Sequence, residues 1–410
     1  MADRATESVV EPASVSGSSN GTMTYPALLD RIGPLPALLD RPAAEPAMRL
    51  RAPTGDEVWL VTDYRLARLV LTDPRFSRAA AVLPEAPKIN TANPAPSSMM
   101  SMDGAEHARL RRLVAGAFAP RRIAALAPDV QRLVDELLTT MDSKGAPADL
   151  VESFAAPLPI AVISTLLGIP AQDRARVQEW AGVLFDVTVS TARDKARRGF
   201  ALFEYMSRLI ERKRAQPGDD LLCGLIAAHE AGAVSRTELV DLALAILTAG
   251  YETTVGQIGL SVLSFLRDPA PREELRDERS TAAVVEEYLR LTPATPITFT
   301  RVALERVDLG GVTVEAGDAV VVSVLHGNVD PAVFPDADRL VPAGRSTAHL
   351  TFGHGTHFCL GAGLARLQIT IAMRTLVRRL PHLRLVDGED AVGWYEGLAT
   401  RGLTHLRVTW

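Results

Sequence analysis

The segment that opens at Ser235, "SRTELVDLALAILTAGYETTVGQIGLSVLSFLRDP", reads as one helix ending near Arg267, before Asp268-Pro269. Ser235 and Glu238 stand at capping-box spacing, so two orphan amide donors can be satisfied reciprocally. At about 1.5 Å of rise per residue, such a helix is ~50 Å long, enough to cross a whole domain. It is apolar on most sides over Leu242–Leu247, which argues for a central, buried element.

A hydrophobic content of 47% over 410 residues is ample for a large core around such a helix. The formal charge of −5, from 44 basic and 49 acidic side chains, gives no reason to expect nucleic acid as a bulk partner. The cysteines are Cys223 and Cys359, so a disulfide framework is excluded and a reducing cytoplasm fits best. The N-terminal "MADRATESVVEPASVSGSSNGTM" has neither an apolar run nor a basic flank and reads as a mobile tail, not a signal peptide. The longest apolar stretches, such as "LALAIL", are too short for a bilayer span. With no repeat or linker visible, the expected division is a disordered tail over 1–22 and a single soluble domain over 23–410.

Most of the chain carries helical signals. "DYRLARLVLTDPRF" (Asp63–Phe76) reads as an amphipathic helix stopped by Pro74, preceded by a strand at Glu57–Thr62. A Pro-, Ala- and Ser-rich loop covers Ala80–Ser101; loops this long are usually functional or disordered. Helical patterns follow over Glu106–Phe118, Pro128–Met141, Pro159–Leu167, Asp173–Thr188 and Thr191–Arg214. "PGDD" at Pro217–Asp220 breaks the last of these. Beyond the long helix, another spans Ser280–Leu291. "PITFTRVAL", a hairpin at "VDLGGVTVEAG", "AVVVSVLHGN" and the C-terminal "LRLVDG…LTHLRVTW" read as strand, and Leu364–Arg379 as helix. The fold class is mainly α with a minor β portion.

Several polar groups sit where a buried helix should not have them. Glu252, Thr253 and Thr254 interrupt the apolar run beside Ala249 and Gly250. A buried carboxylate costs several kcal/mol unless paired, and Gly costs about 1 kcal/mol relative to Ala in a helix interior. One reading is a kinked helix with Glu252 turned to solvent or paired; the other is a helix widened beside a bound group, with hydroxyl and carboxyl placed to move protons. Glu287 and Arg290, three apart, read alone as an ordinary helix pair. His107 and Arg111, four apart, are either a solvated basic face or two cations gripping an anion.

"TFGHGTHFCLGAG" (Thr351–Gly363) surrounds Cys359 with Gly353, Gly355, Gly361 and Gly363. A zinc site with His357, His354 or His349 matches no standard spacing. A nucleophilic cysteine would need a base and an oxyanion donor that the sequence does not single out. A plain buried cysteine is the commonest fate but leaves the glycines unexplained. A thiolate ligand to a large flat cofactor fits better. It favours glycines where backbone presses on the cofactor, and amide donors with a helix N-terminus behind the sulfur.

Together these pieces resemble the cytochrome P-450 family of haem-thiolate monooxygenases, from about Asp63 to Trp410. "FGHGTHFCLG" (Phe352–Gly361) is similar to the family's F-G-x-G-x-H-x-C-x-G haem loop at every fixed position. "AGYETT" resembles its oxygen-activation helix, Glu287–Arg290 its E-x-x-R, His107–Arg111 its H-x-x-x-R, and Arg339 the third member of the salt-bridged triad. The resemblance implies haem b as cofactor with Cys359 as axial thiolate, and Phe352, Gly353 and Gly361 lying against the porphyrin. His107, Arg111, Arg301 and His357 are the implied propionate partners. Thr253 would hydrogen-bond dioxygen or its water, Glu252 would connect that position to solvent protons, and Ala249 and Gly250 would leave room for oxygen.

The implied reaction is hydroxylation or epoxidation with O2, electrons coming from a separate ferredoxin and ferredoxin reductase because the chain has no room for its own flavin or iron–sulfur domain. Arg109, Arg112 and Arg366 are candidates for the docking face. The pattern resembles soluble actinobacterial members of secondary metabolism, cytoplasmic enzymes with no membrane or nucleic-acid partner. A sizeable, largely apolar substrate of macrolide, polyketide, terpenoid or steroid type is implied. Substrate-facing positions map to the Ala80–Ser101 loop, Phe185–Val189, Ala245, Thr248, Ile297, Leu398, Ala399 and Thr400. Departures are "MDGAEH" where relatives often have two prolines, Gly363 and Gln368 where Pro and Glu are common, and Tyr251 in place of His. None removes a catalytic group. Competing readings are an oxidative-coupling or peroxide-using haem-thiolate enzyme and, more remotely, a haem-based sensor or a zinc protein. The acid–alcohol pair Glu252-Thr253 argues against peroxide use.

Overall fold

The computed structural model describes residues 23–24, 45–52, 54–89, 95–181, 192–342, 348–388, 391–395 and 400–410. The expected tail over 1–22 lies outside them. Helices follow one another as α1 (Tyr64–Thr72), α2 (Gly104–Ala115), α3 (Ala127–Lys144), α4 (Pro157–Leu167) and α5 (Ala192–Ala215). After these come α6 (Leu221–Glu230), α7 (Arg236–Arg267), α8 (Glu278–Leu291), α9 (Val324–Asn328) and α10 (Ala362–Arg379), with shorter turns between them. Asp63 caps α1 through Leu66 N at 2.8 Å, and the helix stops ahead of Pro74.

The long helix α7 forms as its sequence dictates. Ser235 Oγ accepts from Glu238 N at 3.1 Å, and Glu238 Oε2 accepts from Ser235 N at 2.7 Å, which completes the capping box. From Gly256 to Phe265 every residue of α7 is buried, so the helix is enclosed on all sides there. Ser261 and Ser264 satisfy their buried hydroxyls on the carbonyls of Gln257 and Leu260, both at 2.8 Å. Among the described residues α7 is the one helix long and apolar enough to cross a bilayer, and over half of that stretch is buried inside the protein.

Two hydrophobic cores share α7. Its first half, from Leu239 to Leu247, packs with α2, α4, α5 and α6 through residues such as Leu110, Ile163 and Met206. Its second half, from Ile258 to Phe265, packs with α3, α8 and α10 through Leu138, Tyr288 and Met373. Burying one such side chain stabilises by about 1.5–3 kcal/mol, so each half is anchored independently of the polar stretch between them.

The β portion is set to one side. Strands β1 (Met23–Thr24), β2 (Ala47–Arg51), β3 (Glu57–Val61) and β4 (Phe76–Ser77) precede β5 (Ala148–Asp149). Strands β6 (Arg301–Ala303), β7 (Val307–Leu309), β8 (Val312–Val314) and β9 (Ala319–Val322) follow α8. The main sheet has the order β1-β2-β3-β9-β6-β4, with β3 and β9 parallel and β9 antiparallel to β6. It carries Arg301 at the start of β6. β7 and β8 form the expected hairpin. The C-terminal strands β10 (Arg384–Leu385), β11 (Gly393–Trp394), β12 (Leu403–His405) and β13 (Arg407–Thr409) close two smaller sheets.

Two elements differ from the sequence reading. "AVVVSVLHGN" is strand only through Val322; Ser323 then accepts from His326 N and starts α9. "PGDD" is followed at once by α6, because Asp220 Oδ1 caps it through Cys223 N at 3.0 Å. Of the helix expected over Asp173–Thr188, Asp173 ends a short 3-10 turn, Arg174–Ala181 is helical and 182–188 lies outside the described residues, as does Phe185–Val189.

Candidate active site

A cavity of about 370 Å³ lies between the middle of α7 and the loop that leads into α10. Ala245, Ala249, Gly250 and Thr253 face it from α7, and Phe352, Gly353, Cys359 and Gly361 from the loop. The loop is held by its own backbone. Gly353 and Gly355 adopt φ of +71° and +72°, where a side chain would be strained. A Cβ on Gly355 would also lie 2.7 Å from the Leu71 carbonyl, so this glycine lets the loop meet the end of α1. Cys359 N donates to Phe352 O at 2.8 Å.

Cys359 is open to the cavity and otherwise enclosed by protein. Burial pushes its thiol up, while the amides of Gly361 and Ala362 and the charges of Arg111 and Arg366 pull the other way. Those amides belong to the N-terminal turn of α10, the end of a helix that favours negative charge.

One edge of the cavity is cationic. His107 from α2 and His357 from the loop lie with ring centroids 4.2 Å apart. Burial, helped by His357 and Arg111, lowers His107 to about 4, so it is neutral at pH 7. Arg111 Nη2 donates to the Phe358 carbonyl at 2.6 Å, tying α2 to the residue before Cys359. Arg301 is buried at 5% exposure, burial lowers it to about 10, and its guanidinium has no hydrogen-bond partner among the described residues. Beside it stands Arg78, which the sequence did not single out. It is equally buried, is lowered to about 9 by burial and then by Arg301, and donates to the carbonyls of Met100 and Thr300.

The carboxylate nearest these cations is Asp103, the residue preceding α2. Burial works against its charge, but His357, the Ser77 hydroxyl at 2.6 Å and the amides of Ala79 and Arg78 hold it well below the usual carboxylate range. Two buried guanidinia facing one carboxylate leave positive charge and open donors at the cavity edge. That surplus fits the carboxylate edge of a flat, anionic cofactor seated over Cys359.

On α7 the threonine hydroxyls bond back into the helix. Thr253 Oγ1 donates to Ala249 O at 2.7 Å, Thr254 to Gly250 O at 3.0 Å and Thr248 to Leu244 O at 2.8 Å. Gly250 has a packing role as well, since a Cβ there would lie 3.1 Å from Ile163 Cδ1 of α4. Glu252 is held by a residue far along the chain: the buried Thr400 hydroxyl donates to its Oε1 at 3.1 Å.

Two braces fix the loop from behind. Arg290 donates to Glu287 through Nε at 2.8 Å and Nη2 at 2.9 Å, and to the carbonyls of Asn328, Ala337 and Arg339. Arg339 thus meets Arg290 through its main-chain carbonyl, while the residue itself is exposed. Asn328 carries the brace to the loop by accepting from Leu350 N at 2.6 Å and donating to Thr351 Oγ1 at 2.9 Å. In the second brace Glu286 accepts from His349 Nε2 at 3.0 Å and from Arg366.

The cavity gathers Ala245 and Ile297, together with Thr400 and, from the Ala80–Ser101 loop, Ile89, Met99 and Met100. Thr248 is buried with its hydroxyl turned into the helix. Leu398 and Ala399 lie outside the described residues. Of the arginines read as a docking face, Arg109 is tied to Glu106 and Glu238, and Arg366 to Glu286; Arg112 is exposed. The first two are spoken for because their partners lie on distant segments or on the same helix face.

Comparison with known proteins adds a family to this geometry. Residues 45–391 match the family described as Cytochrome P-450. Nocardicin C N-oxygenase of Nocardia uniformis subsp. tsuyamanensis is 41% identical over 90% of this chain and 93% of its own length. Mycinamicin IV hydroxylase/epoxidase of Micromonospora griseorubida is also 41% identical, over 89% and 93%. Among solved structures, the putative thioether synthase SgvP of griseoviridin tailoring superposes with a TM-score of 0.87 at 39% identity, covering 92% of this chain and 96% of that one. A mutant of the mixed-function enzyme MycG in complex with mycinamicin IV gives 0.82 at 40% identity, over 90% and 94%.

Proposed function

The chain belongs to the cytochrome P-450 family and is a haem-b-dependent monooxygenase; we propose that it hydroxylates or epoxidises a sizeable, largely apolar small molecule of macrolide, other polyketide, terpenoid or steroid type. The observation that carries this reading is the cavity itself, with Cys359 on one side, the Ala249–Thr254 face of α7 on the other and buried arginines at its edge. Two of the relatives are named for acting on a mycinamicin and on vitamin D(3), and a solved neighbour holds mycinamicin IV, which supports a bulky apolar substrate.

Cys359 is the residue we assign to hold the haem iron, with Phe352, Gly353 and Gly361 against the ring. Arg301, His107, Arg111 and His357 would receive its carboxylates, and Arg78 would add buried positive charge beside Arg301. When bound there, haem supplies the activation of dioxygen by two electrons and two protons, one oxygen atom passing to the substrate and the other leaving as water.

The chain's own residues govern the protons. Thr253 donates its hydroxyl hydrogen to Ala249 O, so its oxygen is left as an acceptor on the cavity wall, suited to hold a water. Glu252, on the preceding position of the helix, is the carboxylate that takes protons from solvent and releases them toward that water. Ala249 and Gly250 keep the helix wall thin opposite Cys359. The apolar side chains of Ala245, Ile246 and Ile297 exclude water and receive the substrate.

Electrons are assigned to a separate ferredoxin and its reductase, and the exposed Arg112 on α2 is a contact for such an acidic partner. The free cysteines suit a reducing cytoplasm.

The deciding experiment is the carbon monoxide difference spectrum of the reduced protein. A strongly red-shifted Soret band is expected, and Cys359→Ala should abolish it. A band typical of histidine ligation would overturn the assignment. A screen for spin-state shifts across macrolides, steroids and fatty acids then narrows the substrate.

A further inference from the structure

The turn at Thr400 is docked on α7 through Ala294 and the side chain of Gln257. Arg401 N donates to Ala294 O at 2.6 Å, and Ala294 N donates to Gln257 Oε1 at 3.0 Å. Gln257 Nε2 in turn donates to Thr292 O at 3.1 Å, so the turn, the end of α8 and the middle of α7 form one strap. The strap lies so close that a Cβ on Gly256 would come within 2.5 Å of the Arg401 carbonyl. Gly256 is therefore the position at which α7 admits the turn. The side chain this docking presents to Glu252 is that of Thr400, which is 4% exposed, sits on the cavity wall and donates to Glu252 Oε1 at 3.1 Å.

We infer that Thr400 is a positioning residue for proton delivery: its hydroxyl fixes the Glu252 carboxylate in the orientation from which Glu252 serves Thr253. Glu252 and Thr253 are neighbours on a helix, so their side chains diverge by about 100° around its axis. Thr400 holds one carboxylate oxygen at the cavity wall, which sets where the other lies relative to Thr253. A hydrogen bond to a charged group is among the stronger ones a side chain makes, and Thr400 is itself immobilised by the strap. The inference rests on the reading of Glu252 as the proton source.

The test uses the holoenzyme without substrate, supplied with NADPH, a plant-type ferredoxin and its reductase. The fraction of consumed dioxygen released as hydrogen peroxide, rather than water, reports how well protons arrive. Isotope-edited infrared spectra of glutamate-labelled protein report the Glu252 carboxylate stretch directly, with Glu252→Gln assigning the band. Thr400→Val, which keeps the shape and removes the hydroxyl, should raise the peroxide fraction several-fold and shift that band, with the haem spectrum unchanged. Thr400→Ser should restore both. If Glu252→Gln leaves the peroxide fraction at the wild-type level, the role of Glu252 fails. If Glu252→Gln raises it and Thr400→Val alters neither readout, the role of Thr400 alone is overturned.

Discussion

Glu286 grips Arg366 with two hydrogen bonds, Nε at 2.6 Å and Nη2 at 2.9 Å, and holds its guanidinium 4.5 Å from the centroid of the Phe352 ring. Phe352 accepts the Cys359 amide on its carbonyl, so the pair joins α8 to α10 directly beneath the cysteine loop. Glu286→Gln should cost about 1.5–3 kcal/mol by weakening charged hydrogen bonds, read as a fall in Tm. With the carboxylate gone and Arg366 still charged, the reduction potential of the bound haem should rise.

The same residue carries a pH dependence. Despite its burial, His349 and Arg366 lower Glu286 to about 2 from the usual 4.5. Its contribution is therefore fully present above pH 4.5 and is lost as pH falls toward 2. By linkage it amounts to at most about 3 kcal/mol, reduced by the solvent that still reaches the carboxylate. Urea unfolding from pH 7 down to pH 3 should show the gap between wild type and Glu286→Gln narrowing as acid is added.

Glu287 and Arg290 are nearly inaccessible, with side-chain exposures of 5% and 1%. Removing one partner leaves the other charge buried. Glu287→Gln is expected to destabilise by roughly 3–5 kcal/mol, with loss of soluble, haem-loaded protein on expression. Its Oε2 also accepts Val341 N at 2.9 Å, so the meander before the cysteine loop should loosen with it.

Gly256 and Gly259 make a matched pair on α7. An added Cβ meets the Arg401 carbonyl at 2.5 Å in the first and Leu403 Cδ1 at 3.5 Å in the second. Gly256→Ala should cost about 1–3 kcal/mol through backbone displacement. Gly259→Ala should be neutral or gain up to about 1 kcal/mol from helix propensity. Thermal melts of the two variants decide it.

Arg301 offers its buried guanidinium to the cavity edge. Arg301→Gln should weaken haem retention by about 10–100-fold, the value of a charged hydrogen bond, measured by haem transfer to apomyoglobin.

What the sequence disclosed were features whose causes are local. The capping box at Ser235 and Glu238, the glycines around Cys359 and the Glu287–Arg290 spacing each lie within a few residues. The α6 helix was hidden because Asp220, its cap, reads equally well as a breaker. Helix α9 was hidden because its cap, Ser323, sits inside a β-branched run. Arg78 was illegible for a different reason: an arginine after a short strand is ordinarily exposed, and its burial is set by Met100 and by Thr300, 222 residues away. Arg366 looks like a surface contact in the sequence because its partner Glu286 lies 80 residues earlier.

The two cores that share α7 have a bearing on how this protein can change. The cluster around Leu110, Ile163 and Met206 backs one wall of the cavity, and the cluster around Leu138, Tyr288 and Met373 backs the cysteine loop. Phe118 and Leu166 pack against both clusters, but the buried members of each are distinct, so most mutations that recontour the first leave the second in place. Such a partition lets selection explore new substrates on one side of a single rod while the chemistry on the other side stays inherited.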